Sequence, residues 1–93
     1  MEQEYATLLT PAWNHAVVQL PGRRFPGVVF QGDSLFLLLE QVREVREALD
    51  AGRLDEAKEG AAELEDDLAG VLSGYESVLA ARGIELPYFK KPR

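Results

Sequence analysis

The chain contains no cysteine, which excludes disulfides, thiolate metal sites and cysteine nucleophiles together. Histidine is almost absent. His15 stands alone, with no carboxylate or serine at a useful spacing beside it, so a catalytic triad is not indicated and His15 reads as a strand or edge residue. Long apolar runs are missing as well. Nothing approaches the roughly 18 residues that span a bilayer, and "MEQEYATLLT" has neither the basic start nor the continuous apolar stretch of a signal peptide. The expectation is a cytoplasmic protein with no membrane partner.

What is present is one short domain. Ninety-three residues, 46% of them hydrophobic, make an ordinary folding composition, but a chain this small buries a modest fraction of its surface. The net charge of −6 is unevenly spread. Residues 1–34 carry −1, residues 35–82 carry −7 and residues 83–93 carry +2. A long nucleic-acid duplex would be repelled by the middle segment, so no duplex partner is expected, whereas the two ends could still meet an anion.

Two helices are legible. Leu35, Leu38, Val42, Val45 and Leu49 step by 3, 4, 3 and 4, with Leu39 widening the stripe, which predicts a helix over 33–51 with that face buried. Gly32 followed by Asp33 and Ser34 offers a breaker and two cap candidates, and Gly52 offers a stop. A second helix is predicted over 55–82, with Asp55 as its cap. Its stripe is Ala61, Leu64, Leu68, Val71, Tyr75 and Val78, and it ends at Gly83. The short "AGRLD" link makes the pair an antiparallel hairpin with coiled-coil-like packing.

The second helix is the longer and overhangs the first, so something must cover its far end. Residues 1–32 supply the candidate: "WNHAVVQL" and "GVVFQ" have high β propensity and flank a Pro/Gly-rich connection, which predicts a small two-stranded hairpin. A short helical turn is expected near "EYATLLTPAW". The fold class is thus mainly α, an α+β domain in which a two-helix hairpin carries a small N-terminal β-hairpin, with residues 83–93 as an aromatic and basic tail. Phe36 and Leu37 cannot share the face of Leu35 and Leu38, so they must meet the β-hairpin or another subunit, and a homo-oligomer is expected.

Most chemistry-bearing patterns read as surface. Glu59, Glu63 and Asp66 share a helical face, but no Glu-x-x-His pair accompanies them, so a solvated acidic face is expected, with no metal and no cofactor. The stretch "PGRRFPGVVFQGDS" is different. A helix start preceded by glycine offers free N–H groups to an anion, and Arg23 and Arg24 are fork-like donors suited to phosphate. Neither G-x-x-x-x-G-K-[ST] nor G-x-G-x-x-G occurs. In the tail, Tyr88 could stack on a base while Lys90 holds its phosphates. The candidate ligand-binding residues are therefore Arg23, Arg24, Phe25, Gly32, Asp33, Ser34, Tyr88 and Lys90, and there is no catalytic candidate.

"RFPGVVFQGDSL" (Arg24–Leu35) and "YESVLAARGIELPY" (Tyr75–Tyr88) together resemble a small uncharacterised family of bacterial proteins with an RFPG-x-x-x-QGDSL centre and a Gly-Ile-x-Leu-Pro-Tyr end. The likeness covers most of the chain after Asn14. It implies a shared fold and supplies no activity.

Two functions follow as expectations, neither of them enzymatic. The first is a homo-oligomeric protein that binds or sequesters a small anion such as a nucleotide signal through the arginine stretch. The alternative is a protein-interaction module (a toxin-neutralising immunity protein, an inhibitor or an adaptor) that works through the acidic helical hairpin.

Overall fold

The computed structural model describes residues 5–11 and 15–92. Three short strands precede two helices: β1 (Thr7–Leu8), β2 (Val17–Gln19), β3 (Gly27–Val28), α1 (Gly32–Asp50) and α2 (Leu54–Ala81). The chain forms two compact units. One comprises residues 1–29 with 73–93, and the other comprises residues 30–72.

In the first unit the strands form an antiparallel sheet in the order β1-β2-β3. Val17 pairs with Val28 and Val18 with Gly27, as the expected hairpin requires, while Thr7 and Leu8 pair with Gln19 and Val18 on the other edge. The third strand corrects the expected helical turn near "EYATLLTPAW". The backbone there is extended: Leu9 N–H donates to the Val17 carbonyl at 2.9 Å, and the Thr10 hydroxyl accepts the Val17 N–H at 2.9 Å. Glu4, Ala12, Trp13 and Asn14, on which part of these expectations fell, lie outside the described residues.

The core of this unit is Val17, Tyr75 and Leu79, with Leu79 fully buried. Leu9, Val28, Val78, Ile84, Leu86 and Tyr88 pack around them. The far end of α2 thus has the cover its length demanded, and the tail contributes to it. Gly83, at φ 67°, ends α2 in a Schellman turn. Its N–H bonds the Ala80 carbonyl at 3.2 Å and the Ile84 N–H bonds the Leu79 carbonyl at 2.9 Å, which turns Ile84 onto the core.

The second unit is the helical hairpin. α1 closes with the same pair of bonds, Gly52 N–H to the Leu49 carbonyl and Arg53 N–H to the Ala48 carbonyl. Ala48 and Ala57 are buried where the helices meet, and a Cβ at Gly60 would lie 2.9 Å from Val45 Cγ2. Small residues therefore let the two backbones come close. The buried face of α1 runs through Leu38, Gln41, Val45 and Ala48, whereas Leu35, Val42 and Leu49 of the predicted stripe are exposed. On α2 the covered positions of this unit are Ala57, Gly60, Leu64 and Val71, while Ala61 and Leu68 are exposed. Large apolar residues occupy two neighbouring seams on each helix. The spacing averaged those seams and missed that alanine, glycine and glutamine fill the inner one.

Helix starts differ by one residue from expectation. α1 begins at Gly32 with Gln31 in the cap position and no side-chain cap bond, and α2 begins at Leu54 with the Arg53 carbonyl accepting the Ala57 N–H. Asp33 and Asp55 lie within the first turns, where a negative charge suits the helix dipole. Among the described residues no helix is long and apolar enough to cross a membrane.

Candidate functional site

The connection between β2 and β3 is a tight turn. Pro21 and Gly22 occupy its centre, Gly22 at φ 75°, and the Arg23 N–H closes it on the Leu20 carbonyl at 3.3 Å. Proline presets the first corner and glycine takes the positive φ of the second, the chemistry of a type II turn. Gln19 Nε2 braces it by donating to the Arg23 carbonyl at 2.6 Å. The turn lifts both arginine side chains to the surface. The Arg24 guanidinium stacks 4.9 Å from the centre of the half-buried Phe25 ring, and among the described residues neither arginine forms an ion pair. Pro26 is buried, and its carbonyl accepts the Tyr75 hydroxyl at 2.7 Å.

Tyr88 and Lys90 are brought together by a residue that sequence reasoning passed over. Glu76 accepts the Tyr88 hydroxyl on Oε2 and the Lys90 ammonium on Oε1, each at 2.8 Å. Its partners, Lys90 first and then Tyr88, hold the Glu76 carboxyl below the usual carboxylate range. Burial, reinforced by the bond to Glu76, pushes the Tyr88 phenol up to about 12. Both groups named as ligand contacts are thus occupied within this unit, Tyr88 half-buried against the core and Lys90 exposed. The Tyr-Glu pair at 75–76 was the available signal: its two side chains reach Pro26 and the tail respectively. Nearby, Arg82 donates to the Leu9 carbonyl at 3.0 Å. His15 is half-buried at a turn ahead of β2.

Gly32, Asp33 and Ser34 belong to the other unit, at the start of α1. Asp33 Oδ1 accepts the Ser34 N–H at 2.9 Å, so its carboxylate satisfies one of the N–H groups an anion would have used. No hydrogen bond or ion pair among the described residues joins Arg23 or Arg24 to Tyr88 or Lys90.

The hairpin itself has two unlike sides. On one, Glu44 of α1 and Glu56, Glu59 and Glu63 of α2 line a single groove of about 190 Å³, floored by Gln41, Val45 and Gly60. Among the described residues no three acidic, histidine or cysteine side chains are grouped to hold a metal ion. The other side is apolar. On each helix, residues one step round from the inner seam and away from the groove are exposed and large: Leu35, Leu39, Val42 and Leu49 on α1, and Leu54, Leu68 and Leu72 on α2. In an antiparallel pair the two steps turn towards the same side, so these seven form one face.

An α+β domain with a helical hairpin and a small antiparallel sheet is the class these features define. The chain belongs to DUF6959, a family of unknown function, which matches it over residues 1–88. That membership agrees with the resemblance to an uncharacterised family and assigns no activity. No curated protein and no solved structure matches the chain.

Proposed function

We propose that this chain is a non-catalytic protein-interaction module that docks a basic protein partner along the acidic side of its helical hairpin. The observation that supports this reading is the segregation of charge: four glutamates from both helices share one groove, and the −7 carried by residues 35–82 steers a cationic partner towards it. Inhibitors, adaptors and toxin-neutralising proteins need no more chemistry than this. A lysine-rich amphipathic helical peptide is a suitable probe, and Glu59→Lys combined with Glu63→Lys should weaken its binding at least tenfold at low salt.

A second reading, a small anion held by Arg23 and Arg24, is favoured by the exposure of both side chains on a braced turn. Thermal unfolding against a panel of nucleotides separates the two. A ligand at 100 times its Kd adds about 2.7 kcal/mol of stability. The docking reading expects no such shift, and a shift that Arg23→Ala removes would replace it with the anion reading.

A further inference from the structure

We propose that the apolar side of the hairpin is covered by a second copy of this chain, two hairpins stacking face to face into an antiparallel four-helix bundle. The inference concerns residues 30–72 and stands apart from the docking reading, which uses the opposite side.

A helix that packs against one neighbour needs one seam, and a helix in a four-helix bundle needs two adjacent ones. Both helices here have two. α1 uses Leu38, Gln41, Val45 and Ala48 within the hairpin and leaves Leu35, Val42 and Leu49 exposed, spaced by seven. α2 uses Ala57, Gly60 and Leu64 within the hairpin and leaves Leu54, Ala61 and Leu68 exposed, again spaced by seven. A seven-residue apolar repeat is the pattern of a helix–helix seam, and within the hairpin nothing occupies it.

The area suffices. The large side chains of this face are each about half exposed, from 42% for Leu72 to 58% for Leu35. Together they present roughly 600 Å² of apolar surface, the upper limit for the largest patch on an ordinary monomer. With its rim it approaches the ~800 Å² per partner that a stable association buries.

The pattern also matches itself about a twofold axis. Placed antiparallel on a copy, α1 sets Val42 against the partner's Val42 and Leu35 against the partner's Leu49. The same axis crosses α2 midway between Leu54 and Leu72, and this lies at the level of Val42, because Val45 adjoins Gly60 and Gln41 donates to Asp67. The charges on this flank of α2 are Lys58 and Glu65, on opposite sides of that midpoint, so each approaches the partner's opposite charge. The stacking also turns Glu44, Glu56, Glu59 and Glu63 of each copy outward, which keeps the two acidic grooves apart.

Light scattering on the full chain tests this. The expected mass is about 21 kDa, twice the 10.3 kDa of one chain. Val42→Glu should return it to the single-chain mass with its helical circular dichroism intact. Leu37→Glu should leave the dimer unchanged, because Leu37 is exposed on the groove side and the contact proposed here runs through Leu35, Val42 and Leu49 in place of the Phe36 and Leu37 pair expected from the sequence. Lys58→Glu should weaken association about fivefold at low salt, and adding Glu65→Lys should restore it. A wild-type chain at 10.3 kDa throughout the micromolar range would overturn the proposal, as would a dimer that survives Val42→Glu. If Val42→Glu unfolds, the charge-swap pair decides alone, and failure of Glu65→Lys to restore association would count against the bundle. Binding of the basic peptide reads a different side, so either proposal can fail while the other stands.

Discussion

Tyr75 donates its hydroxyl to the carbonyl of Pro26 at 2.7 Å, joining α2 to the loop that follows the arginine turn across 49 positions of sequence. The tyrosine is 5% exposed, and burial raises its pKa, so the bond lies where water does not compete. Tyr75→Phe removes the donor and leaves a buried carbonyl unsatisfied. The expected loss is about 1–3 kcal/mol, read from urea unfolding.

Leu79 sets the scale for the rest of this core. It is fully buried beside Val17 and Tyr75. Leu79→Ala should cost about 2–5 kcal/mol, and Leu37→Ala, whose side chain is 62% exposed and lies outside the apolar seam, a small part of that. Equal losses in denaturant titrations would contradict the placement of Leu79 in the core and Leu37 at the surface.

Two glycines, one inside α2 and one just past its end, should respond in opposite directions to alanine. Gly83 holds φ 67° in the Schellman turn, and a side chain there is strained by roughly 1–2 kcal/mol. Gly70 lies inside the helix, and a Cβ added there would meet nothing within 4 Å, so Gly70→Ala should stabilise by about 0.5–1 kcal/mol through helix propensity. Thermal midpoints of the two variants give the signs.

The Glu76 cluster predicts a pH dependence with two limits. The Glu76 pKa is depressed in the folded chain, so its contribution is present above the ordinary carboxylate range and is lost as pH falls through the depressed value. The Tyr88 pKa is raised to about 12, so its contribution is present below the ordinary phenol pKa near 10 and is lost as pH rises towards 12. Glu76→Gln should flatten the acid limb of a stability profile, and Tyr88→Phe should reduce the alkaline one.

Much of the fold could be read from residue order. The helical hairpin, its Gly52 and Gly83 stops and the existence of the β2–β3 hairpin follow from periodicity and turn chemistry, which are local. Three things did not. The β1 strand is two residues long and owes its existence to β2, a contact no local pattern records. The inner seam relies on Ala48, Ala57 and Gly60, whose value is closeness and not hydrophobicity, so the large residues beside them pulled the predicted stripe part-way onto the neighbouring exposed seam. Within the candidate site, the arginine turn and the start of α1 were legible from Pro21, Gly22 and Gly32. The capture of Tyr88 and Lys90 by Glu76 was not, because those partners are 12 and 14 residues apart and meet only after the Gly83 turn.

The central claim is that position on the hairpin, and not total charge, makes the acidic groove a docking side. Anisotropy of a labelled lysine-rich helical peptide should be compared for two variants of identical net charge, Glu59→Lys with Glu63→Lys, and Asp50→Lys with Glu85→Lys. The account predicts at least a tenfold loss of affinity for the first pair and a change of about twofold or less for the second. Equal losses in both would contradict it and reduce the groove to a solvated surface.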